Sequence, residues 1–155
     1  MPTNKTISMT KIIRFCTLLS FILMCNITFA QTKVDWDLLG NVKFEKKYSE
    51  ELGFTANEAT FEEGILQLDG IEIVITGYMI PMDALGINYV VSKHPNASCF
   101  FCGKAGPETV IELIFKPSAM RRFKTDERLT LKGKLKLNKI NDLHLTYMME
   151  GVEVF

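Results

Sequence analysis

The residues best suited to chemistry in this chain lie in Ser98-Cys99-Phe100-Phe101-Cys102-Gly103-Lys104. Two thiols three positions apart can close a disulfide, exchange disulfides with a partner, or aim two thiolates at one metal ion. The chain has four cysteines. Cys16 and Cys25 lie in the apolar N-terminal stretch, so Cys99 and Cys102 are the pair that a processed chain keeps. Cys-x-x-Cys-Gly-Lys looks like a zinc knuckle, but a structural zinc ribbon needs a second such pair, and none remains. The missing ligands would be His94, five residues before Cys99, with His144, an acidic residue, water or a second protomer. A Cys99/Cys102/His94 site with one open position suits zinc. Copper(I) is the alternative, given soft thiolates and the thioethers of Met79, Met82, Met148 and Met149. Each has a plainer explanation: methionine is ordinary core filler, and His94 fits a surface loop equally well.

The redox readings use the same atoms. In thioredoxin-like proteins the CxxC opens a helix whose N-terminus stabilises the thiolate. Here Gly103, Gly106 and Pro107 follow too closely for a helix of useful length, and the flanking βαβ pattern is missing. A stapling disulfide between Cys99 and Cys102 stays open, because exported thiols without metal tend to oxidise. Other chemistry is thin. There is no G-x-S-x-G elbow, phosphate loop or H-E-x-x-H pair. The reading leans away from an enzyme.

Compartment decides which of these chemistries applies. Lys5, Lys11 and Arg14 give residues 1–30 a positive start without an acid, Ile12 to Met24 is mostly apolar, and Thr28-Phe29-Ala30 ends on a small residue. That pattern predicts a signal peptide cleaved after Ala30, and a periplasmic or secreted mature chain from Gln31 to Phe155. The apolar stretch is short for a membrane span, so the mature chain is expected not to span a membrane. Its length suits one domain with a real core. Whole-chain net charge is +0. Acids dominate from Asp35 to Glu72 and bases from Lys116 to Lys139. Such a basic stripe can meet phosphate, but its spacing fits the wet face of a strand, and no nucleic-acid partner is expected after export.

The elements that must position the cysteines read as strands. In Leu129-Thr130-Leu131-Lys132-Gly133-Lys134-Leu135-Lys136-Leu137 leucines alternate with mostly lysines, the period of a strand with one buried face. Gly133 falls in the apolar register, where a bulge or sharp coil is expected. Leu143, Leu145, Tyr147 and Met149 alternate again, predicting a hairpin with the previous run. Ile65 to Leu68 is a short apolar run, and Asp69-Gly70 is a turn signal. Ile71 to Ile80 predicts a central strand covered on both faces, ended by Pro81. Ile87 to Val91 and Glu108 to Phe115 supply two more strands, with the cysteine loop from Ser92 to Pro107 between them. Pro117 to Arg122 is a candidate short helix, and Ala56 to Glu63 a weaker one. From Asp35 to Leu52 the pattern is least informative; Trp36 and Phe44 are expected to tuck against the body as a lid.

The chain should therefore be mainly β: a small OB-fold-like five-stranded barrel with one short helix, or alternatively a β-sandwich. Fold alone assigns no function.

Leu68-Asp69-Gly70, then Ile71-x-Ile73-x-Ile75-x-Gly77-Tyr78-Met79-Ile80-Pro81, then the Cys-x-x-Cys loop resembles a domain-of-unknown-function family of small secreted bacterial proteins. The likeness spans roughly Trp36 to Val154. It implies an accessory protein beside exporter-type transporters, with zinc handling suggested. Gly103-Lys104-Ala105-Gly106-Pro107 departs from the more proline-rich loop expected of the family. The functional expectation is a small exported binding or accessory protein that holds or hands over zinc or copper through Cys99, Cys102 and His94, or docks on a membrane transporter or other envelope protein. A disulfide-stapled protein-interaction module is the alternative, and a thiol–disulfide enzyme the third.

Overall fold

A computed structural model describes residues 32–50, 53–140 and 144–155. The expected signal peptide, and Leu143 at the head of the last alternating run, lie outside the described residues. In chain order the elements are β1 (Thr32–Lys33), α1 (Trp36–Leu39), β2 (Val42–Ser49), β3 (Phe54–Phe61), α2 (Glu63–Leu66), β4 (Glu72–Pro81), β5 (Tyr89–Ser92), β6 (Val110–Phe115), β7 (Arg128–Leu137) and β8 (Tyr147–Val154). Among the described residues no helix is long and apolar enough to cross a membrane.

Five of these strands close a barrel. β4, β5 and β6 meander antiparallel, with Met79 opposite Val91 and Tyr89 opposite Leu113. β6 then runs parallel to β8, Leu113 beside Met149. β7 is antiparallel to both β8 and β4, so the sheet returns to its first strand. This β4-β5-β6-β8-β7 circuit is the OB-fold's Greek-key barrel, and its closure sets the sandwich aside. The leucine-lysine alternation works as expected. Leu131 and Leu135 are fully buried, while Lys132 faces outward and meets Glu153 at 2.8 Å. Within β7 the basic stripe is thus a solvated strand face, on which Lys132 is partnered by Glu153 and, at 3.9 Å, by Glu72. At Gly133 the β7–β8 register shifts, and a Cβ there would stand 2.7 Å from Met149 Cγ and 2.9 Å from Glu150 O. Only glycine fits that bulge. Gly77 marks a second close approach, since a Cβ would meet Ser92 O at 2.5 Å and Trp36 Cζ2 at 3.2 Å. That leaves the Trp36 indole free to lie on β4 and donate its N–H to Thr76 O at 2.8 Å.

The helices are not where the sequence puts them. Pro117 to Arg122 forms a single turn in which Ala119 and Met120 N–H groups bond Lys116 O. The chain then runs irregularly so that Phe123 can plug the barrel beside Tyr89 and Phe115, with ring centroids 5.2 and 5.0 Å away. A short helix has too few internal bonds to compete with that burial. The helices present are α1, capped by Asp35 on Asp37 and Leu38 N–H, and α2, where an apolar strand-like run was read. Ala56 to Phe61 is strand, not helix. Its buried residues Ala56, Ala59 and Phe61 shift face at Glu58, where Ile140 bridges the strand, and the shift mimics a helical period. β2 and β3 form a hairpin in register from Val42–Phe61 to Ser49–Phe54. Trp36 and Phe44 do pack on the barrel core, as expected.

Candidate functional site

Residues between β5 and β6 position the cysteines. Lys93 N–H donates to Thr109 O at 2.9 Å and closes the base of the loop. Within it the backbone makes three separate 3₁₀ turns, Asn96–Ser98, Phe100–Cys102 and Pro107–Thr109. Proline and glycine ration the backbone donors and stop any turn from propagating into a helix. Gly103 ends the second turn at φ 69°, a left-handed conformation that glycine adopts freely. The absence of a helix after the CxxC follows the sequence expectation.

Alternation along the barrel strands explains what the loop covers. Tyr89, Val91, Met79 and Ile111 belong to the interior core, whereas their neighbours Val90, Ile80 and Val110 form a second apolar cluster with Cys99. Successive side chains of a strand face opposite sides, so this second cluster lies on the barrel's outer face. Phe100 and Leu145 pack against it. The four residues of β5 are consequently buried on both faces, by the barrel within and by the cysteine loop without.

The two thiols differ sharply. Both are free; Cys99 is fully buried in the outer cluster, and Cys102 is exposed. Asn96 serves both. Its side-chain oxygen lies 3.9 Å from Cys99 Sγ, and its carbonyl accepts from Cys102 Sγ at 3.0 Å. Loss of solvation in the turn and the adjoining Cys99 sulfur raise the Cys102 thiol above its ordinary value, against a smaller downward pull from Lys104. The turn also lacks the long helix whose N-terminus lowers the thiol in thioredoxin-like proteins.

The third expected ligand is not assembled with them. His94 is half-buried, and its backbone N–H donates to Ser92 Oγ at 3.1 Å. Among the described residues no three His, Cys, Asp or Glu side chains are grouped to hold a metal. His144 is exposed, its Nδ1 3.0 Å from Glu112 Oε1, while Glu112 Oε2 accepts the Leu145 N–H. The methionines divide as well. Met79 and Met149 fill the barrel interior, across the sheet from Cys99, and Met82 is exposed. Sequence reasoning missed Asn96 and Asp126, whose carboxylate accepts the Asn96 N–H at 2.7 Å. Asn96 carried one local signal: it follows Pro95, a frequent turn opening. Asp126 carried none, because its contact crosses thirty residues.

The chain offers chemistry a pair of adjacent thiols on a short turn, half of a tetrahedral zinc site and a full complement of sulfur for a low-coordinate soft ion. Compared with known proteins, it matches no protein-family model, no curated protein and no solved structure.

Proposed function

We propose that this chain is a small exported OB-barrel binding protein that carries a soft transition-metal ion on Cys99 and Cys102 and passes it to a membrane transporter or another envelope protein. One observation carries the reading: two free thiols stand together on one turn, with Cys102 at the surface and, among the described residues, no third His, Cys, Asp or Glu side chain grouped with them. A resident structural zinc would need two further ligands from outside the turn. An ion in transit needs the opposite, a site left open to the next ligand. Of the two metals considered, the two-sulfur donor set favours copper(I) as cargo. Binding would displace both thiol protons to solvent, so affinity should rise with pH, by about a decade per unit for each proton released. Zinc fits where His94 or a second protein completes the set.

The test is intact mass under native conditions, before and after chelator and reductant, on protein purified from the envelope of its host. A metal adduct that chelator removes, and that Cys99→Ser with Cys102→Ser abolishes, is the expected result. Unchanged copper(I) and zinc affinity in the double variant would sink the reading.

The adjacency of the sulfurs also favours a second reading, a disulfide-stapled interaction module. A metal-free species lighter by two hydrogens, shifting only on reduction, would select it. The staple would close a short loop and so stabilise the fold little.

A further inference from the structure

We infer that Asp126 is the positioning residue of the dithiol site, holding the cysteine loop closed through Asn96. The inference rests on the reading of Cys99 and Cys102 as the functional pair, and it names what regulates their access.

Asp126 lies far from the cysteines in sequence, in the turn before β7. It is the one non-glycine residue with positive φ among the described residues, at 63°. Aspartate, asparagine and glycine are the residues that tolerate this conformation best. The turn is anchored to the barrel independently of the loop. Asp126 N–H donates to Met79 O at 2.9 Å, and Met79 N–H donates to Glu127 O at 2.9 Å, so β4 grips the turn from both sides of one residue. The carboxylate is thereby presented as a fixed acceptor, and it takes the Asn96 N–H at 2.7 Å. A bond from a neutral donor to a carboxylate is stronger than one between neutral groups.

Asn96 passes that position on. Its carbonyl accepts the Cys99 N–H at 3.4 Å and the Cys102 thiol at 3.0 Å, and its side-chain oxygen faces the Cys99 thiol. One backbone N–H thus ties both sulfurs to the barrel. The other restraints on the loop are of different kinds: at its base the Lys93–Thr109 backbone bond and the Lys93 Nζ–Asp37 ion pair at 2.8 Å, and further along the apolar seat of Cys99 and Phe100. Losing the Asp126 bond should leave the base closed while the tip lifts, freeing Cys99 from its seat.

Two substitutions separate acceptor from backbone. Asp126→Gly keeps the left-handed conformation and removes the acceptor. Asp126→Asn keeps both the conformation and an Oδ1 acceptor. The readout is the alkylation rate of each cysteine in the reduced full-length protein, followed by peptide mass, with copper(I) affinity measured by competition against a chromogenic chelator. Asp126→Gly is expected to raise Cys99 alkylation roughly tenfold, the scale of one hydrogen bond to a charged group, with Cys102 changed by less than about twofold. Asp126→Asn should restore most of the difference. Equal Cys99 rates in Asp126→Gly and the parent overturn the inference, and so does an asparagine variant as reactive as the glycine one. Should Asp126→Gly fail to fold, hydrogen exchange on the parent decides: the Asn96 amide is expected to be protected, and free exchange there overturns the proposal. Alkylation needs no metal, so the two ideas fail separately. If no form binds copper or zinc, the cargo reading falls and the positioning role is still judged. If Asp126→Gly alkylates and binds copper(I) as the parent does, the positioning role alone falls.

Discussion

Two apolar clusters share the same three strands and are built differently. Inside the barrel, Ile75, Met79, Tyr89, Val91, Ile111, Leu131, Leu135, Tyr147 and Met149 come from all five strands. Each is held by two neighbouring strands of a closed circuit, so no one of them can be exposed without breaking the ring. Outside, Ile80, Val90 and Val110 take the alternate positions of β4, β5 and β6, and their cover is a loop of 3₁₀ turns contributing Cys99 and Phe100. That cover is tied at its base and at Asn96. Free energies of local opening range from near zero up to the global stability, and thinly held elements open first. A thiol buried by a thin cover can be reached by local opening, whereas the same burial inside the ring would require the ring to break.

The comparison breaks most readily in the interior. Leu135 is fully buried and faces Met149 across β7 and β8. Leu135→Ala should cost about 2–5 kcal/mol of global stability, read from denaturant unfolding. Cys99 alkylation under native conditions should change far less than the stability does, provided the outer cluster opens locally. If Cys99 reactivity rises in step with the global loss, the two clusters are one cooperative unit and the distinction fails.

Tyr147 sharpens the interior side through pH. Its hydroxyl donates to Leu39 O at 2.7 Å, and its ring lies 5.8 Å from that of Phe61. Burial, with a smaller push from Glu108, raises the phenol well above its ordinary value of 10.0. The unfolded chain loses this proton first, so the contribution is complete below about pH 10 and is lost as pH climbs above that value. Denaturant midpoints measured from pH 8 upward should fall more steeply for the parent than for Tyr147→Phe, whose baseline is lower but lacks this titration. Parallel alkaline slopes would mean that the ring interior takes in water there.

What the sequence disclosed follows the same division. Strict alternation, as in Leu129 to Leu137, needs only one buried face to be legible, and it placed β7, its bulge at Gly133 and the barrel class. Ile71 to Ile80 carries apolar residues on both faces because both are covered, one by the ring and one in part by the cysteine loop. The hairpin of β2 and β3 escaped notice for the converse reason. Its face switches at Glu58 and uses Ala56 and Ala59, residues of low strand preference. The CxxC loop was found from residue types alone. Its cover role was not, since Cys99 joins Ile80, Val90, Val110 and Leu145 only once the barrel closes. Proximity in sequence does not by itself aim a side chain. His94 shares the loop with Cys99 and Cys102, yet forms no three-donor group with them.

The smallest expected effect is the most telling about the outer cluster. Val110 is fully buried beneath the cysteine loop, at the point where β6 begins. Val110→Ala removes two methyl groups, worth about 1–2 kcal/mol of transfer free energy. In the ring, such a loss would appear mainly as lowered global stability. Beneath a cover that opens by itself, part of it must appear as easier opening, because the lost contacts are those between the cover and the strand. The expected pattern is a modest drop in unfolding free energy together with a several-fold rise in Cys99 alkylation and little change at Cys102, which is exposed already. An equal loss without any change at Cys99 would place Val110 in the same cooperative unit as Leu135. The buried thiol would then be reached only by unfolding the barrel, and Cys102 would be left to act alone.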